Sequence, residues 1–386
     1  MAHVYDGLKV LDLGQYIAGP LAAAFLADHG AEVIKVERPE GDPYRKEPGF
    51  VVWNRGKRSI TINLKRKEGQ RIAQELAARS DVVIENFRCG VADSLGLGYE
   101  MLRALNERLI YCSISGFGTQ GPYRDKPGWE PIPTSIASIY ADQGGVGKPP
   151  VYVVLPLASH YAAMLAAFSI TTALLVREGT GRGQRVDIPL LNAMVACQSN
   201  RLIYYPRRIP LPSGLPQGAV ALYRLYHGSD GQWFFLALGN AQFFGKFAIA
   251  MGHEEWVADP LFEGAPWGIY PPRSTQIIEK LQAIFSAKPR DEWLEMFRAL
   301  DVPCAPARRV DEFLDDPQVQ ANEMVMELDD PNLGKVRQMG IAIKASLTAG
   351  EVRGPSPQLG QHTEPVLAEL GYPPSKIARL KAKKVV

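Results

Sequence analysis

The chain has 386 residues, 46% hydrophobic and 22% charged, enough for one large or two ordinary globular domains. Its formal net charge is +2, from 43 Lys+Arg against 41 Asp+Glu, which excludes the basic excess of a bulk nucleic-acid binder but leaves room for a local anion site. Cys89, Cys112, Cys197 and Cys304 make no CxxC pair and no Cys/His cluster, so no metal is expected, and free thiols in a reducing compartment fit best. The N-terminus enters a strand pattern with no signal-peptide core, and no run reads as membrane-spanning. The expectation is therefore a cytoplasmic protein that engages neither nucleic acid nor membrane.

Leu8–Leu13 reads as a short strand, followed by the loop Gly14-Gln15-Tyr16-Ile17-Ala18-Gly19-Pro20. Leu21–His29 reads as a helix ended by Gly30, and Ala31–Glu37 as a second strand. Strand, helix and strand in some thirty residues make a βαβ unit, whose connection is right-handed. The pattern repeats: strand 59–64, helix 68–79, strand 81–85, helix 101–106 and strand 109–115. The last runs into the Gly-rich loop Gly116–Pro122. The alternation predicts an α/β fold, a doubly wound parallel sheet with ligand loops at the carboxyl ends of its strands. Neither GxGxxG nor a Walker pattern is present, so a simple dinucleotide or P-loop site is unsupported. Cations recur at loops instead, at Arg38, Arg55, Lys57, Arg58 and Lys65–Lys67, beside a candidate stacking aromatic, Phe87. That mix suits a phosphate-bearing ligand with an aromatic base.

Pro156–Leu174 is organised differently. Small and apolar residues run from Ala162 to Val176, too apolar for a surface helix and too short to cross a bilayer, and Ser159 is placed as its N-cap. After a Gly-rich turn, Arg185–Leu190 is one more strand, and a helix follows to about Arg201. Tyr204–Gly218 is proline-rich and reads as a linker. Ala221–Tyr226 and Trp233–Leu238 then form a hairpin around Asp230-Gly231, with helices at 243–251, 277–285 and 290–300. The expected domains are 1–203, the linker 204–218, a small α+β domain 219–320, and a return to the large domain over 321–386. That last stretch carries a strand-and-turn pattern at 328–345, a short helix at 364–370 and a basic helical end at 376–384.

Five stretches in one order carry a resemblance: LDLGQYIAGPLAAAFLADHGAEVIKVERPEGD, WNRGKRSITINLK, DVVIENFRCG, LGLGYEMLRALNERLIYCSISGFGTQGP and REGTGRGQRVDIPLLNA. Together they resemble the class III CoA-transferases, which include carnitine CoA-transferase, formyl-CoA transferase and the 2-methylacyl-CoA racemases. The resemblance implies a Rossmann-like large domain built from both chain ends, a small domain, and two interlocked subunits. It implies coenzyme A as the bound substrate, with an acyl-CoA and a carboxylic acid as reaction partners. By position, Gln15, Tyr16, Ile17 and Ala18 fall in the first CoA loop, with Gln15 also a candidate catalytic residue. Arg38 matches the phosphate-facing arginine, Leu64 and Lys65 the adenine and phosphate region, and Asn86, Phe87 and Arg88 the loop bordering the cofactor. An arginine common in the family is Ser94 here.

The larger departure concerns the nucleophile. The family's aspartate, which forms acyl-anhydride and aspartyl-CoA intermediates, aligns with Ser159, or with Ala158 on racemase spacing. Pro156–Leu174 contains no Asp or Glu, and the racemase histidine is replaced within Gly128-Trp129-Glu130. Three readings follow. Glu130 supplies the carboxylate of an altered transferase, Ser159 marking the vacant nucleophile position; or the chain is a CoA-binding subunit paired with a paralogous chain bearing the Asp; or it is a racemase-like or acyl-CoA-sensing protein. His160 as a base for Ser159 is disfavoured, because adjacent helical residues point apart. Trp129, Tyr161, Phe243 and Phe244 leave open an apolar acyl site or ordinary core packing.

Overall fold

A computed structural model describes residues 3–145, 148–199, 201–203, 205–206 and 216–386. The described residues form two compact units, one of 1–137, 155–202 and 318–386 and the other of 138–154 and 203–317. Most of the proline-rich stretch 204–218 lies outside the described residues.

The first unit is built on six parallel strands: β1 (Lys9–Asp12), β2 (Glu32–Glu37), β3 (Arg58–Thr61), β4 (Val82–Glu85), β5 (Ile110–Ser115) and β6 (Arg185–Pro189). Their spatial order is β3-β2-β1-β4-β5-β6. The chain winds outward from β1 to one edge, then crosses back to β4 and winds to the other. The topological switch therefore lies between β1 and β4, where open α/β sheets form their crevice. Side chains alternate across the sheet. Leu11, Leu13, Val83 and Tyr111 share a core with Ile72 and Leu76 of the helix Lys67–Ala78. Val366, Leu367, Leu380 and Val385 complete that core from the C-terminal helices Thr363–Glu369 and Pro374–Ala382 and the residues after them. Both chain ends thus build one layer, as Asn63 confirms by donating its N–H to the Val385 carbonyl at 2.8 Å.

The helices Ala18–Asp28 and Leu157–Thr180 pack together through alanines, including the buried Ala22, Ala23, Ala162, Ala163 and Ala166. Small side chains let the two backbones approach closely. Leu157–Thr180 departs from expectation in three ways. It has 24 residues, long and apolar enough to cross a membrane, although its alanine face is packed as a core helix is. It is not buried all round, since Phe168 is 69% and Leu175 74% exposed. Its N-cap is Pro156, which puts Ser159 inside the first turn rather than at the cap.

Two loop cations are also corrected. Arg55 and Lys57 are buried and paired, not presented to solvent. The Arg55 guanidinium donates to both Asp28 oxygens, at 3.1 and 2.6 Å, and to backbone carbonyls of Met339 and Gly340. Lys57 Nζ donates to Asp12 at 2.8 Å, the Pro20 carbonyl at 2.7 Å and Asn54 at 3.1 Å. Arg58 pairs with Glu369 at 2.5 Å near the surface. A buried cation is tolerated where its donors are met and an anion is adjacent, which these partners provide.

The second unit holds an antiparallel sheet of β7 (Gly218–Val220), β8 (Tyr223–His227), β9 (Trp233–Ala237) and β10 (Cys304–Pro306), in the order β10-β9-β8-β7. The strand expected at 221–226 runs over 223–227 instead, residues 221–222 forming the turn from β7, and the register irregularity of the β7–β8 pair falls between Gly218 and Val220. The Asp230-Gly231 hairpin forms, with Gly231 at φ +71°. Phe234, Phe247, Phe285 and Phe297 make its core. The hairpin β11 (Val325–Asp330) and β12 (Gly334–Met339) returns the chain to the first unit. All four cysteines are free thiols.

Candidate functional site

The loops leaving β1 and β4 are tied together at the switch point. Asn86 accepts the Gln15 N–H at 2.8 Å and donates to the Gln15 carbonyl at 2.7 Å. One amide side chain thereby satisfies both backbone groups of Gln15, as an adjacent strand would. Next in the loop, Tyr16 takes a left-handed φ of +62°, a conformation that costs a non-glycine residue free energy and persists only where the surroundings enforce it.

A cavity of about 280 Å³ opens above these loops. Gln15, Tyr16, Ile17 and Ala18 line it from β1, and Asn86, Phe87 and Arg88 from β4. Ser115 and Gly116 from β5, together with Gly128, Trp129 and Glu130, form a further wall. That wall depends on a glycine pair. A Cβ on Gly116 would lie 2.4 Å from the Gly128 Cα, and one on Gly128 2.3 Å from the Gly116 Cα. Only two residues without side chains let the chain approach so closely, and the approach brings Glu130 to the carboxyl edge of the sheet.

Glu130 then meets the N-terminus of the helix Leu157–Thr180. Its carboxylate accepts the N–H of Ala158 at 2.9 Å, the N–H of Ser159 at 2.7 Å and the Ser159 hydroxyl at 2.5 Å. The Thr134 hydroxyl adds a fourth bond at 3.2 Å. The first-turn N–H groups of a helix have no intrahelical acceptor, and the helix dipole favours an anion there. Glu130 supplies that anion from outside the helix. His160 donates to or accepts nothing from Glu130; its Nδ1 lies 2.9 Å from the Pro156 carbonyl.

The residues expected at a site thus divide. Gln15, Tyr16, Ile17, Ala18, Asn86, Phe87, Arg88, Glu130 and Ser159 converge on one cavity. Arg38, Leu64 and Lys65 do not line it. Arg38 donates Nε to the Gly41 carbonyl at 2.8 Å, Leu64 packs against the core, and Lys65 is exposed. Phe243 and Phe244 belong to the second unit, where Phe244 is buried against Phe262. Sequence reasoning missed Tyr44, Cys89, Arg124 and Lys126 as cavity residues. The two cations stand in the run Arg124-Asp125-Lys126 just before the Gly128 approach, a signal visible only once that approach is known. Arg124 Nε lies 3.1 Å from Cys89 Sγ, and Lys126 Nζ sits 4.1 Å over the Tyr123 ring.

Behind Phe87 and Arg88 lies a second, smaller cavity of about 130 Å³ that includes Glu85 and Arg185. Burial pushes the Glu85 carboxyl up to about 7, against the opposing pull of the Ser113 hydroxyl and the Phe87 N–H. Beneath the main loops, burial works against the Asp12 charge, but Lys57 and Lys35 outweigh it and hold its carboxyl below the ordinary range.

Fold and cavity together define a doubly wound α/β protein with a cleft at its topological switch point, carrying a helix-held carboxylate and three cations. A family model described as CoA-transferase family III matches residues 5–363, and the chain belongs to that family. It is 34% identical to a succinyl-CoA–D-citramalate CoA-transferase of Chloroflexus aurantiacus, over 99% of this chain and 98% of the relative. It is 32% identical to the succinyl-CoA–L-malate CoA-transferase beta subunit of the same organism, over 98% and 97% of the two chains. The crystal structure of a CAIB/BAIF family protein from Brucella suis superposes with a TM-score of 0.82 at 32% identity, covering 96% of this chain and all of that one.

Proposed function

We propose that the protein is a CoA-transferase that moves coenzyme A from an acyl-CoA to a free carboxylic acid, with Glu130 as the nucleophilic carboxylate. The observation that carries this is the placement of Glu130 in the cavity, held by two helix N–H groups and the Ser159 hydroxyl. Family membership and the CoA-transferases among its relatives support the reaction class.

The chemistry balances without an added cofactor. A Glu130 oxygen attacks the thioester carbonyl, the C–S bond breaks, and CoA leaves as the thiolate, giving a mixed anhydride. The thiolate attacks the Glu130 carbonyl, releasing the first acid and leaving a glutamyl-CoA thioester. A second carboxylate reverses both steps and departs as its CoA ester. The N–H groups of Ala158 and Ser159 supply hydrogen-bond donors for the oxyanion that forms on the Glu130 carbonyl when the thiolate attacks it, the role such donors play best when fixed in advance. Arg88, Arg124 and Lys126 line the same cavity and supply partners for the CoA phosphates, with Phe87 as a flat apolar surface.

A second reading, favoured by the relative named as a beta subunit, keeps the CoA cavity and draws an aspartate from a paralogous chain in an interlocked heteromer. Assay of the purified chain alone separates the two. Turnover by the lone chain, with hydroxylamine capture of a Glu130 acyl intermediate seen by peptide mass spectrometry, supports the first. Turnover that survives Glu130→Gln removes Glu130 from the role. Turnover that appears only on adding an Asp-bearing paralogue establishes the second.

A further inference from the structure

The carboxylate of Glu130 and the hydroxyl of Ser159 close a circuit whose remaining members are aromatic. Trp129, the neighbour of Glu130, packs edge-on against Tyr16 with ring centroids 4.9 Å apart. Tyr16 meets Tyr44 edge-on at 4.7 Å, and Tyr44 meets Trp53 at 6.1 Å. Trp53 meets His160 edge-on at 6.5 Å, and His160 is the neighbour of Ser159. These separations are those of interacting aromatic pairs. The circuit draws on the loop after β1, the segment after β2, and the starts of two walls, so no single stretch of sequence displays it.

Three of its features are not those of ordinary core packing. Trp129 is 49% exposed, and it lines the cavity together with Tyr16 and Tyr44. Tyr16 is held at a φ of +62°, a cost that core filling does not require. Trp53 has a seat cut for it, since a Cβ on Gly49 would lie 2.4 Å from its Cζ2. The cavity's cations, Arg88, Arg124 and Lys126, are the ones assigned above to the CoA phosphates. Arg88 and Arg124 also line the second cavity, away from the carboxylate, and Lys126 lies over Tyr123.

From this arrangement we infer that the acid exchanged at Glu130 is a monocarboxylic acid bearing an aromatic or comparably bulky apolar group, gripped by Trp129, Tyr16 and Tyr44. The inference rests on the CoA-transferase reading of the cavity. An aryl group against these rings gains edge and face contacts and loses little hydration. With the cavity's cations taken by the CoA phosphates, the distal carboxylate of a dicarboxylic acid would give up its water against uncharged rings. A site of this kind discriminates more by what it fails to pair than by what it attracts.

The test measures binding and turnover separately. Calorimetry compares 3-phenylpropanoyl-CoA, succinyl-CoA and CoA itself on the full chain, and a competition assay offers 3-phenylpropanoate and succinate together as CoA acceptors. The expected result is binding of the phenylpropanoyl ester at least about tenfold tighter than the succinyl ester, from the contacts of one aromatic group. Trp129→Ala and, independently, Tyr44→Leu should collapse that ratio toward one. Equal or reversed preference overturns the inference even if CoA passes freely between acids. A preserved binding preference with no transfer to either acid defeats the transferase reading and leaves the aryl site standing. Failure to bind any of the three ligands overturns both.

Discussion

Glu130 and Ser159 are joined twice, through the Ser159 N–H at 2.7 Å and its hydroxyl at 2.5 Å, although 29 residues separate them in the chain. The carboxylate reaches the N-terminal end of the helix Leu157–Thr180 from the segment that precedes it. The helix terminus is thereby supplied with its anion, and Ser159 becomes a donor to it.

The first prediction concerns that bond. Under the mechanism proposed above, Glu130→Gln should lower kcat by about 10³-fold or more, as removal of a covalent nucleophile does. Ser159→Ala removes one of several donors and should cost on the order of 10²-fold. Steady-state transfer rates measured on folded variants, with circular dichroism as the check on folding, decide the ordering. Equal losses would show that Ser159 is as central as Glu130.

Adding a carboxylate to the helix should be harmful while Glu130 remains. In Ser159→Asp two carboxylates would share one set of donors, and like charges at that range repel. Unfolding by urea should find the variant about 1–3 kcal/mol less stable than the parent. Combining it with Glu130→Gln should relieve the difference; a loss that persists in the double variant would reject the argument.

The buried Lys57–Asp12 pair should respond to single and double replacement differently. Lys57→Met leaves Asp12 buried with only the Gly14 N–H and the more distant Lys35 charge, and should cost about 3–5 kcal/mol. Replacing both residues with apolar ones removes the stranded charge and should recover much of that loss. Chemical denaturation of the three variants measures it, and additive losses would contradict a paired role.

Glu85 predicts a pH window. Its folded value is raised from 4.5 to about 7, so between those values the folded protein binds more protons than the unfolded chain. Stability therefore falls as pH rises through that window and is level above it, a difference of roughly 3 kcal/mol for this group alone. Glu85→Gln stays neutral throughout, so its stability advantage over the parent should grow across the window. An advantage that does not change with pH would show that Glu85 titrates as an ordinary carboxyl.

Lys126→Ala and Arg124→Ala should each weaken CoA binding about tenfold, the loss of one charge-assisted contact. Because both residues are exposed, the loss should shrink as salt is raised. Calorimetric titration at low and high ionic strength tests this. Unchanged affinity would place the CoA phosphates elsewhere, with Arg38 and Lys65 the next positions to examine.

Much of this protein was open to reading from residues alone. Strand and helix patterns of period 2 and 3.6 are local, so the alternation over the first 115 residues and the loops that follow the strands could be placed without coordinates. The order of five motifs likewise identified CoA-transferase family III, which the match over residues 5–363 shows. The tertiary structure decided which residues meet. Arg55 and Lys57 read as loop cations suited to a phosphate-bearing ligand because nothing in their own stretch reveals carboxylates 27 and 45 residues away. Ser159 read as a cap because cap preference is local, whereas its true acceptor arrives only through the contact of Gly116 with Gly128. Periodicity is a property of neighbours in sequence; the pairing of charges, and the ring of aromatics from Trp129 to His160, is set by which backbones can approach in space.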